Sequence, residues 1–127
     1  MSKIAIIDDD PDIVEATTLL LESKGHTVVT AGNVVEAVSL IESEMPDLIL
    51  LDVMMDEPDD GFYLANKFRQ LGFKTPIILL TSVSKSLGFD FGEGESLPIN
   101  DFIEKPVTPA KLMEKVNQHL GNKGGAV

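Results

Sequence analysis

Leu48-Ile49-Leu50-Leu51-Asp52 decides how the chain folds: four apolar residues run without a polar break and end on an acid. A strand with one wet face alternates apolar and polar residues, whereas an unbroken run suits a strand covered on both faces, as in a parallel sheet with helices on each side. Ile4-Ala5-Ile6-Ile7 and Ile77-Ile78-Leu79-Leu80 have the same character. With two shorter β-rich stretches, the expected strands are Lys3–Ile7, Thr27–Thr30, Asp47–Leu51, Pro76–Leu80 and Asp101–Ile103.

Working outward, the intervening stretches carry stripes of helical period. Ile13, Thr17 and Leu20 share a face between Pro11 and Gly25. Val34, Val38, Ile41 and Met45 line the next segment, Leu64, Phe68 and Leu71 the third, and Leu112, Val116 and Leu120 the last. Asp10-Pro11 reads as an N-cap followed by proline at N1, and Gly25 and Gly121 as C′ glycines. Strands alternating with helices predict an α/β fold, a doubly wound five-stranded parallel sheet with right-handed crossovers. One stretch departs from the pattern. The 19 residues between Thr81 and Asp101 hold Gly88, Gly92, Gly94 and Pro98 and show no stripe, so the fourth helix is expected to be short, irregular or absent. Three glycines each cost roughly 0.8–1 kcal/mol of helix stability relative to alanine, and an ordered-on-demand loop carrying Phe89 and Phe91 is expected to serve as a readout surface.

The 127 residues suffice for one domain, expected over 1–121 with a flexible tail at 122–127. The absence of cysteine excludes disulfides and thiolate chemistry, and His26 and His119 are read as surface residues. No apolar run exceeds four residues, and Met1-Ser2-Lys3 does not begin a signal peptide, so a soluble cytoplasmic protein is expected. A net charge of −11 disfavours direct contact with nucleic acid or an anionic membrane, because phosphate would be repelled. Protein partners, cations and phosphorylated small molecules stay open.

Acids collect where such a sheet places its sites, at the carboxyl ends of the strands. Strand one runs into Asp8-Asp9-Asp10, strand three into Asp52, strand four into Thr81-Ser82 and strand five into Glu104-Lys105-Pro106. Clustered carboxylates repel one another unless a cation sits among them. All-oxygen ligands suit a hard ion such as Mg²⁺, which needs only one or two carboxylates plus water and substrate phosphate. A carboxylate beside Mg²⁺ can attack phosphorus, and Lys105 and the Thr81 hydroxyl could neutralise and position the phosphoryl oxygens.

Four motifs in order, Ile6–Asp10 (IIDDD), Leu50–Met55 (LLDVMM), Leu79–Ser82 (LLTS) and Asp101–Pro106 (DFIEKP), make the chain resemble the receiver domain of response regulators over nearly its whole length. The resemblance implies a flavodoxin-like fold, as in a stand-alone chemotaxis regulator, and a switch rather than a conventional enzyme. It implies Asp52 as phosphoacceptor, with the phosphoryl group coming from a sensor histidine kinase or histidine phosphotransfer protein. It implies a Mg²⁺ site of Asp8, Asp9, Asp52 and the Met54 carbonyl, Asp9 binding directly and Asp8 through water. Thr81 becomes the switch hydroxyl, Phe102 the rotating aromatic and Lys105 the phosphate partner, with an unnamed protein as output partner. The segment Met54–Gly61 departs from the family pattern by about one residue and by its acidity.

Two rivals compete. Asp8 and Asp10 also form the Asp-x-Asp of a haloacid-dehalogenase-like phosphohydrolase, although Asp12 stands where a small or hydroxyl residue is wanted and Asp52 would be idle. A pseudo-receiver acting only as a docking module would not need the acidic pocket.

Overall fold

The computed structural model describes residues 2–52, 60–81, 99–104 and 107–121. Element order is β1 (Lys3–Ile7), α1 (Pro11–Ser23), β2 (Thr27–Ala31), α2 (Val34–Glu44), β3 (Leu48–Asp52), α3 (Asp60–Gln70), β4 (Ile77–Thr81), β5 (Asp101–Glu104) and α4 (Pro109–Gly121). All pairings are parallel, in the order β2-β1-β3-β4-β5. β1 therefore lies between β2 and β3, and the strand order reverses there.

Residue parity divides the core. Successive side chains on a strand point to opposite faces. Ile4, Ile6, Leu48, Leu50, Ile78 and Leu80 pack with Leu21 of α1 and with Leu112 and Val116 of α4. Ala5, Ile7, Ile49, Leu51, Ile77 and Leu79 pack on the other face with Ala37 and Ile41 of α2 and with Leu64, Ala65 and Phe68 of α3. Both faces of β1, β3 and β4 are thus covered, which is why their sequences do not alternate.

The helix starts follow the sequence. Asp10 caps α1, its carboxylate accepting from the N–H groups of Asp12 and Ile13 at 3.0 and 3.4 Å, with Pro11 at N1. Asn33 caps α2 by accepting from Glu36 N–H at 2.8 Å, and the Thr108 hydroxyl accepts from Lys111 N–H at 3.2 Å at the start of α4. Gly25 takes a φ of 92° after α1, the left-handed conformation expected of a C′ glycine.

Several expectations need correction. Four of the strands, β2 to β5, run one residue further than expected, to Ala31, Asp52, Thr81 and Glu104, while β3 and β4 start one residue later than expected, at Leu48 and Ile77. Asp52 thus closes β3. Gly121 is the last residue of α4 rather than its successor. Met45 is no part of the inward face of α2: it ends the helix in the left-handed conformation with φ 47° and is 69% exposed. Leu71 follows α3 and is exposed. In α1 the fully buried residue is Leu21, with Val14 and Leu20 packed against that cluster. Ile13, Thr17 and Leu20 do share a face, but that face lines an open apolar groove of about 320 Å³ against Val107, Pro109 and Leu112, with Leu20 also reaching the core. The helix is apolar on more than one side, so its stripe alone does not say which row faces the sheet.

Four helices are present among the described residues, and Ile99 packs on the α2–α3 side of the core. The readings of the fourth helix and of a flexible tail fall on residues 82–98 and 122–127, outside the described residues.

Candidate functional site

Strand direction brings the acids together. β1 and β3 are neighbours, with Ile7 in register with Leu51, so Asp8 and Asp52 emerge side by side at the carboxyl edge. The Asp8 N–H donates to Ala31 O at 3.1 Å, tying the end of β1 to the end of β2. The Asp8 carboxylate in turn accepts from Asp10 N–H at 2.9 Å, so the turn that starts α1 also aims Asp8.

Asp8 and Asp52 are only 2% and 5% exposed, while Asp9 is exposed. One carboxylate oxygen from each of Asp8, Asp9 and Asp52 lies within 4.8 Å of the others. Among the described residues no other group of three such side chains comes this close. Burying two carboxylates near a third is costly unless their charge is met. The donor set fits a hard cation. Octahedral Mg²⁺ holds oxygens at about 2.1 Å, hence about 3.0–4.2 Å from one another, within a small adjustment of the spacing here. A cavity of about 320 Å³, lined by Asp8, Asp9, Pro11, Val14, Thr30, Ala31 and Gly32, opens beside the acids.

The comparisons with known proteins agree with this geometry. The model of the response regulator receiver domain matches residues 4–117. The chain belongs to the response regulator receiver domain family. This receiver domain is 38% identical over 118 residues to an uncharacterized 14.6 kDa protein of Leptolyngbya boryana, covering 91% of this chain and 88% of that one. It is 37% identical over 118 residues to the alkaline phosphatase synthesis transcriptional regulatory protein PhoP of Bacillus subtilis, covering 93% of this chain but only 48% of PhoP. A CheY-like response regulator receiver domain protein from Methanospirillum hungatei superimposes with a TM-score of 0.83 at 28% identity, over 100% of this chain and 99% of that one. The flavodoxin-like, all-parallel sheet is the fold of this family.

Of the other candidate residues, Thr81 is the last residue of β4, in register with Glu104, and so reaches the same edge as Asp52. Phe102 is half-buried on β5, beside Leu79 in register, and packs against the α2–α3 side of the core. Met54 and Lys105 lie outside the described residues. Among the described residues no helix is long and apolar enough to cross a membrane.

The opposite end of the sheet holds two polar clusters that periodicity does not reveal. Arg69 of α3 donates to Phe73 O at 3.0 Å, Thr75 O at 2.8 Å and Asn100 Oδ1 at 2.9 Å, and Asn100 Oδ1 also accepts from Ile77 N–H at 2.9 Å. Next to it, Asp101 takes Lys115 Nζ at 3.0 Å and His119 Nε2 at 3.1 Å. His119 is therefore no surface residue: its side chain is 15% exposed and fastened to Asp101. His26 is also half-buried, its Nδ1 enclosed, and burial followed by the nearby amino terminus lowers its pKa.

Burial opposes the charge on Asp101, but the bonds from His119, Lys115 and the Phe102 N–H outweigh it and hold the carboxyl below its usual range. A depressed carboxyl pKa contributes stability above its unfolded value of about 3.9 and loses it as pH falls through the folded one. The stability difference between wild type and Asp101→Asn, read by urea unfolding, is therefore expected to be full at pH 6 and to shrink steadily below about pH 4. A difference that does not change with pH would contradict a charged Asp101 at this joint.

Proposed function

We propose that this receiver domain is a phosphorylation-dependent signalling switch, in which Asp52 accepts a phosphoryl group from a sensor histidine kinase or histidine phosphotransfer protein. The observation that carries the reading is the convergence of Asp8, Asp9 and Asp52, two of them buried, within 4.8 Å at the carboxyl edge of the sheet.

The Asp52 carboxylate attacks phosphorus in line. An oxygen–phosphorus bond forms, the nitrogen–phosphorus bond of the donor breaks, and the departing imidazole takes up a proton. Asp9 directly, Asp8 through water, Asp52 and the Met54 carbonyl would hold Mg²⁺. When bound, the ion neutralises charge on the phosphoryl oxygens, so that an anion can enter an acidic pocket. Lys105 pairs with the phosphoryl group and the Thr81 hydroxyl donates to it. That Thr81 contact, with reorientation of Phe102, alters the surface offered to a protein output partner. The domain spans residues 1–121 and works in the cytoplasm without touching nucleic acid or membrane, in keeping with the charge of −11 on the whole chain.

Incubation with acetyl phosphate and Mg²⁺ is expected to add one phosphoryl group per chain by intact mass, and chelation is expected to prevent it. Mg²⁺ at about 100 times its Kd contributes roughly 2.7 kcal/mol. In a domain of this size that is a rise of about 10 °C in melting temperature. Continuous phosphate release from small esters without a labelled chain would instead indicate a phosphohydrolase. Neither labelling nor a thermal response to Mg²⁺ would indicate a docking module.

A further inference from the structure

Asp101 stands at one end of the short edge strand β5, and its carboxylate joins the backbone of that strand to α4. Oδ1 accepts from the N–H of Phe102 at 2.8 Å and from Lys115 Nζ at 3.1 Å. Oδ2 takes Lys115 Nζ at 3.0 Å and His119 Nε2 at 3.1 Å. Lys115 and His119 are four residues apart and so share one face of α4. All three side chains are well shielded, at 16% exposure for Asp101, 26% for Lys115 and 15% for His119. Charge-assisted bonds in such surroundings are stronger and more directional than surface pairs. The preceding residue, Asn100, is lashed to Arg69 of α3 and to Ile77 of β4. Consecutive residues thus fasten the start of β5 to helices on opposite faces of the sheet, immediately before the half-buried Phe102.

We propose that Asp101 is a positioning residue that couples the seating of α4 to the Phe102 peptide, so that a partner gripping α4 and a phosphoryl group on Asp52 act on one shared joint. The inference rests on the switch reading for its use, although the joint itself does not. Arg69 holds Asn100 on one side of the joint, and Lys115 and His119 of α4 hold Asp101 on the other. Coupling of this kind is reciprocal: what moves α4 changes Phe102, and what reorients Phe102 changes the hold on α4.

The test uses the full chain and amide exchange by NMR. In the unmodified protein, the Lys115→Met/His119→Gln double variant is expected to speed exchange at Phe102 about tenfold, the loss appropriate to bonds with a charged group. Exchange at Ile6 and Leu50 should stay at the wild-type rate. Unchanged exchange at Phe102 would overturn the joint, as would equal acceleration everywhere, which marks general destabilisation. The second arm adds beryllofluoride as a phosphoryl mimic. In wild type the His119 ring resonances should shift together with those around Asp52. Asp101→Asn keeps an oxygen for the Phe102 N–H but loses the charge that holds α4, so the His119 response should vanish while the Asp52 response remains. A His119 response that persists in Asp101→Asn would show that α4 is reached by another route and would refute the coupling. If wild type gave no response around Asp52, the switch reading would fail, and the first arm would still decide the joint.

Discussion

Asp52→Asn is expected to incorporate no phosphoryl group from acetyl phosphate above background, while keeping the wild-type far-UV spectrum. The amide is nearly the same size as the carboxylate, so the end of β3 should keep its packing. What it loses is the anionic oxygen that bonds to phosphorus and one of the three acids gathered within 4.8 Å. Oxygen-only magnesium sites depend on the number of carboxylates they contain. The thermal shift produced by Mg²⁺ should therefore fall to less than half of the wild-type shift. Asp9→Asn should also weaken the Mg²⁺ response, yet leave some slow labelling, because the nucleophile survives. Labelling of Asp52→Asn as heavy as that of wild type would exclude Asp52 as the acceptor.

The second large effect is on stability. Phe68→Ala is expected to cost about 3–5 kcal/mol, the usual range for emptying a buried aromatic site. Phe68 is fully buried and, with Leu64 and Ala65, is how α3 meets the sheet. It packs in the cluster that contains Ile49, Leu51, Ile77 and Leu79, on the strands that carry Asp52 and Thr81 to the site edge. Set against a total stability of roughly 5–15 kcal/mol, such a loss leaves a marginal domain. Urea unfolding followed by circular dichroism measures it, and a loss below about 1 kcal/mol would mean that α3 is held by something other than this side chain. Ile13→Ala, in the open groove between α1 and α4, should cost much less, since that side chain is only half-buried.

These two residues also mark how far the sequence could be read. Phe68 belongs to a helical stripe and Asp52 ends an unbroken apolar run. Both are local patterns, set by the period of a helix and by the two covered faces of a parallel strand. The acidic pocket follows once the strands are parallel, because every strand then delivers its last residue to the same edge. Helix α1 was harder, since apolar residues on several sides leave the buried row open, and the structure buries Leu21 instead of Thr17. Met45 could be placed on a stripe but not recognised as a left-handed terminus, a role normally left to glycine or asparagine. The clusters at the far edge left little local trace. Arg69 meets Asn100 across 31 residues and His119 meets Asp101 across 18. The one available signal was the spacing of Lys115 and His119 on a single helical face, which needs a carboxylate partner that only the tertiary fold supplies.

The most direct measurement is to locate the modified residue chemically. Acetyl phosphate and Mg²⁺ are added, the acyl phosphate is reduced with borohydride, and the digested chain is sequenced by tandem mass spectrometry. Borohydride converts an aspartyl phosphate to homoserine, so the modified position is read without relying on a variant. The account predicts homoserine at position 52 alone, formed with Mg²⁺ and lost on chelation. Homoserine at Asp8 or Asp9, or none at position 52 when the intact chain carries a phosphoryl group, would contradict it.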